Sequence, residues 1–72
     1  MGDPVTIELT GDEALVLFEW LADLDTAKLG VGQAEERVLW NIEAILEKSL
    51  VEPFASNYVE LVEQARRRIL EG

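Results

Sequence analysis

The stretch ALVLFEWLADL, residues 14–24, decides how this chain folds. On a helical wheel at about 100° per residue its apolar side chains cover roughly 220° of arc. Leu17, Trp20 and Leu24 form one flank, and Ala14, Leu15, Phe18, Leu21 and Ala22 form the other. Asp12, Glu19 and Asp23, with Val16 among them, mark a narrow polar stripe. A surface helix of a small domain needs an apolar stripe of only about 100°. Something must cover the remainder, and the expectation is a subunit or partner interface.

The elements around this helix are punctuated clearly. Thr10-Gly11-Asp12-Glu13 has the form of a capping box: the Thr10 side chain caps the first turn while Glu13 reaches back to the Thr10 amide. Helix one is therefore expected over residues 11–25, ending where LDTAKLGVG breaks the pattern with two glycines. Helix two is expected over 33–50, with Val38, Leu39, Ile42, Ile45, Leu46 and Leu50 on an ordinary core face of about 140°. Pro53 stops it and Phe54 is expected to plug the turn. Helix three is expected over 56–70, its inner face made by Tyr58, Leu61, Val62, Ala65 and Ile69, with Glu63 and Arg67 as an i,i+4 pair.

Ahead of the helices, residues 1–4 read as a disordered tail. Val5-Thr6-Ile7-Glu8-Leu9 then alternates apolar and polar residues with period two, as a half-buried strand does. No second strand is evident in the sequence. Two copies could pair antiparallel across a twofold axis, or the segment could be an extended arm whose Val5, Ile7 and Leu9 cover the helices.

Seventy-two residues form one domain, near the size at which a single core needs a staple. The chain has neither cysteine nor histidine, which removes disulfides and ordinary zinc sites. Association is the staple left, and 49% hydrophobic residues supply surface for it. The expected architecture is an all-α three-helix bundle with a short N-terminal extended arm or strand. It is expected to assemble as a homodimer with helix one central. Its interface would draw on Val5, Ile7, Leu9, Leu17, Trp20 and Leu24.

Charge restricts the partners. Residues 1–65 carry fourteen acids against Lys28, Arg37 and Lys48, a balance of −11, and the last seven residues return +2. A chain with a net charge of −9 is repelled by nucleic acid and by anionic membranes, so a basic protein is the more natural partner. Arg66-Arg67-Arg68 suits a helix C-terminus, or a bridge to acids on a neighbouring helix, better than a phosphate contact. The start, MGDPVTIEL, lacks the basic and apolar regions of a secretory signal. No run of 18 apolar residues occurs either. A cytoplasmic setting is the expectation.

Catalytic constellations are weak. Asp25, Gly30 and Glu36 fall at positions 1, 6 and 12 of a calcium-loop template, but Ala27 and Leu29 occupy positions 3 and 5, where oxygen is needed. The carboxylate pairs Glu43/Glu47 and Glu19/Asp23 share helix faces, and a solvated face explains them without chemistry. Ser49, Ser56, Thr10 and Thr26 have no histidine or cysteine to activate them. Gly30 and Gly32 lack the following Gly-Lys-Ser/Thr of a phosphate loop. The expectation is a non-enzymatic interaction module with no cofactor. Trp40 is the strongest contact residue: it points away from the core face of helix two among Glu36, Glu43 and Glu47. An aromatic ringed by carboxylates can receive an Arg or Lys of a partner, or it can pack beneath the arm or a second subunit.

The runs EALVLFEWLADLD, AEERVLWNIEAILEKSLVEPF and NYVELVEQARRRIL resemble a group of small acidic helical bacterial proteins of unknown function, over about residues 9–70. That resemblance implies a small helical protein and assigns no site residue. In size and acidity the chain is also similar to immunity proteins and antitoxins that mask basic nucleases. An antitoxin- or immunity-like inhibitor is thus the alternative function, with no shared motif behind it.

Overall fold

The computed structural model describes residues 2–72, apart from the side chain at position 26. The order of elements is α1 (Gly11–Ala22), α2 (Thr26–Leu29), α3 (Gln33–Ser49), a 3-10 turn (Glu52–Phe54) and α4 (Tyr58–Glu71). The chain is all-helical, with no strand among the described residues. Of the expected tail over residues 1–4, Met1 lies outside the described residues, and residues 2–4 have no regular structure.

The capping box at the start of α1 is formed in full. The Glu13 amide donates to Thr10 Oγ1 at 3.1 Å, and the Thr10 amide donates to Glu13 Oε1 at 2.8 Å. The end of the helix differs from expectation, because α1 stops at Ala22 instead of Asp25. The Asp25 carboxylate accepts from the amides of Ala27 and Lys28, at 3.1 and 3.3 Å, and starts the single turn α2. Gly30 closes that turn at φ 68°, a conformation in which a Cβ is unfavourable. Helices two and three of the sequence correspond to α3 and α4. The second starts two residues later than expected, with Asn57 as its N-cap but no side-chain capping bond.

The core joins Leu15, Phe18 and Leu21 of α1 to Leu46 and Leu50 at the end of α3 and to Val62 and Ala65 of α4. α1 is the middle element, packed mainly on α4 and on α3, while direct contact between α3 and α4 is slight. A closed three-helix bundle would bring each helix against both others, whereas here the layout is open. The radius of gyration is 13.6 Å, against about 11 Å for a compact chain of this length.

This layout corrects two expectations about the core. The α3 face is not fully covered: Leu46 and Leu50 are buried and Leu39 and Ile42 half-buried, but Val38 is 55% and Ile45 63% exposed. A helix with one principal neighbour cannot hide a face of about 140°. Phe54 does not plug the turn. The 3-10 geometry around Pro53 turns it out to 80% exposure, and Leu50 takes the interior position instead.

Two polar links tie α1 to α4. Arg68 donates to both Asp12 carboxylate oxygens, from Nε at 2.9 Å and from Nη2 at 2.8 Å, so one cation of the terminal triplet does bridge to a neighbouring helix. The half-buried Tyr58 hydroxyl donates to the Glu19 carboxylate. The expected pair between Glu63 and Arg67 is replaced by one between Glu63 and Arg66, three residues on, at 2.9 Å.

Candidate functional site

The functional surface is best described as two opposite flanks of α3. One flank carries Trp40, 56% exposed, on the side where Glu36, Glu43 and Glu47 also project. Helical spacing alone brings these four together: positions 36, 40, 43 and 47 recur at i, i+4, i+7 and i+11. Glu36 and Glu43 are half-buried and Glu47 is exposed. The indole therefore stands in water within a fence of carboxylates, open to a cation from outside.

The opposite flank faces the N-terminal segment. Residues 5–9 form no ladder, so the strand possibility is not realised within the chain; they have no regular secondary structure. Alternation does what it does in a strand, directing Val5, Ile7 and Leu9 to one side. Those three side chains, with Ile42, Ile45 and Leu46 of α3, line an open groove of about 570 Å³. Ala14 and Ser49 complete its wall, and the Ser49 hydroxyl already donates to the Ile45 carbonyl at 2.9 Å. No charged side chain lines the groove. A second depression, lined by Ala34, Glu35, Val38 and Leu39, lies along the same helix. All three arm residues remain exposed despite lying along the groove, so the arm does not cover α3.

The remaining residues expected at an interface lie on α1 and just beyond it. Leu17 and Leu24 are half-buried against the core. Trp20 is 52% exposed and borders a hollow of about 290 Å³ shared with Leu29 and with charges of both signs, Asp23, Lys28 and Arg66 among them. The arm's contribution to a groove is legible in its period-two pattern. The exposure of Val38 and Ile45 is not, because it depends on how few helices pack on α3.

The α1–α4 links shift the groups that form them. Burial, reinforced by the Glu19 carboxylate, pushes the Tyr58 hydroxyl well above its ordinary value. The hydrogen bonds from Arg68 hold Asp12 below the usual carboxylate range, and Asp12 in turn raises the guanidinium. Among the described residues no polar or charged side chain is buried, and no three potential metal ligands gather in one place. None of the described helices is long and apolar enough to cross a membrane. Compared with family models, with curated proteins and with solved structures, the chain matches none.

Proposed function

We propose that this chain is a non-enzymatic protein–protein interaction module that works in a self-associated form, as a homodimer. One observation carries the proposal. The chain exposes 5941 Å², whereas a folded monomer of 8.1 kDa exposes about 4,500 Å². The difference, about 1,400 Å², falls within the roughly 1,000–2,500 Å² that one partner of an obligate homodimer gives up. The nature of the surface agrees: thirteen large hydrophobic side chains are exposed among the described residues, and seven hydrophobic residues are buried.

In this scheme the acidic flank of α3 faces a basic protein, with Trp40 as anchor and Glu43 and Glu47 supplying attraction. Nucleic acid and membranes are not its partners. Arg68 is engaged by Asp12 and Arg66 by Glu63, so most of the terminal triplet is already neutralised. The setting that goes with this function is the cytoplasm.

Sedimentation equilibrium over about a hundredfold dilution range tests the proposal. A mass near twice 8.1 kDa is expected, and a folded monomer at every concentration would refute self-association. A second function, favoured by the net charge of −9 and the exposed Trp40, is dedicated inhibition of one basic toxin or nuclease. It requires tight binding to a single cognate protein, weakened by salt and abolished by Trp40→Ala.

A further inference from the structure

We infer that the groove between the arm and α3 is occupied by α3 of a second copy of this chain, the two copies related by a twofold axis. This rests on the self-association proposed above and names the surface responsible. That surface is α3 with the arm, in place of the Leu17, Trp20 and Leu24 flank expected from the sequence.

Three observations select a second copy over a foreign protein. The surplus surface, about 1,400 Å² per chain with the exposed N-terminal segment included, is of the size that each protomer of an obligate dimer buries. The groove is also a surface that two copies of charge −9 can bring together without apposing carboxylates in it, although Glu35 stands beside Val38 at the N-terminal end of the same face. It has no carboxylate in its lining, and Glu36, Glu43 and Glu47 stand on the far flank of α3. Thirdly, the surface is self-complementary in chemistry. Val38 and Ile45 protrude from α3, while Val5, Ile7 and Leu9 stand along the groove beside it. An isologous pair places the protruding residues of each copy against the groove of the other. Ser49 imposes no polar demand on the partner, because its hydroxyl is satisfied by the Ile45 carbonyl. A basic partner would find nothing here to pair with.

The test compares Ile45→Glu and Val38→Glu with Val59→Glu in sedimentation equilibrium. All three positions are exposed in the monomer, so each variant should keep its helical circular dichroism. The wild-type chain is expected to dimerise. Ile45→Glu and Val38→Glu should each weaken the dimer by at least about 100-fold, since each buries an unpaired charge at the contact. Val59→Glu should leave the dimer intact. Added salt should tighten the wild-type dimer by screening the repulsion between two acidic copies.

The outcomes separate the two claims. A wild-type chain that is monomeric throughout overturns self-association, and this inference with it. A wild-type dimer that survives Ile45→Glu and Val38→Glu overturns the groove alone. So does one that is broken by Val59→Glu, or one that loosens as salt rises.

Discussion

α1 and α3 exchange the roles their sequences suggest. α1 has the wider apolar arc and looks like the helix in need of an external partner. Yet its position between α3 and α4 covers Leu15, Phe18 and Leu21 and half-covers Leu17 and Leu24, leaving Trp20 as its principal exposed apolar residue. α3 has an ordinary core face on paper, but with one principal neighbour it leaves Val38 and Ile45 in solvent. The width of an apolar arc says how much a helix needs covered. The packing order decides whether its own chain does the covering.

The largest expected effect comes from the covered side of this comparison. Phe18→Ala should lower the unfolding free energy by about 3–5 kcal/mol in chemical denaturation, because it empties part of the core. Ile45→Ala, measured at dilutions where the chain is monomeric, should change it by no more than about 0.5 kcal/mol. Equal losses at the two positions would mean that α3 is as well covered as α1, and the contrast drawn here would fail.

Tyr58→Phe probes the seam between α1 and α4 and should cost about 1 kcal/mol. Its pH dependence is the sharper measurement. The hydroxyl is raised in the folded state, so its contribution is complete below the unfolded tyrosine pKa of about 10 and declines as pH rises beyond it. This is the only tyrosine, so the extra alkaline loss of the wild type over Tyr58→Phe belongs to that one group. Gly30→Ala should also cost about 1 kcal/mol, by forcing a Cβ into the left-handed turn before α3. Arg68→Gln should have a small effect of opposite pH sense. Asp12 is held low in the folded state, so the gap in melting temperature between wild type and variant should be present at neutral pH. It should close as pH falls through the depressed Asp12 pKa.

Local chemistry made much of this fold readable. The Thr10–Glu13 box, the stop at Pro53 and the α4 face through Val62 and Ala65 are written in short-range patterns that the backbone must obey. The one-turn α2 was harder to see, because it depends on Asp25 capping a segment too short to show periodicity. Phe54 and Ile45 were illegible for different reasons. The exposure of Ile45 is a property of which helices meet, which no residue near it encodes, and that of Phe54 follows from the 3-10 turn formed around Pro53. For the surfaces, the fence around Trp40 could be read from spacing within α3 alone. The groove could not, since half of its wall comes from Val5, Ile7, Leu9 and Ala14, far from α3 in the sequence.

The two indoles give the molecule an unusual spectroscopic character. Trp20 and Trp40 are the chain's only tryptophans, and both are about half in water. Their emission should already lie toward the red in the native monomer, so denaturation would move it little and intrinsic fluorescence would be a poor gauge of folding. It would be a good gauge of docking, because a protein that settles on Trp40 withdraws that ring from solvent. Quenchers should sense the carboxylate fence as well: iodide, repelled by Glu36, Glu43 and Glu47, should reach Trp40 less readily than neutral acrylamide. The emission of this chain is thus tuned to contact with other molecules more than to its own unfolding.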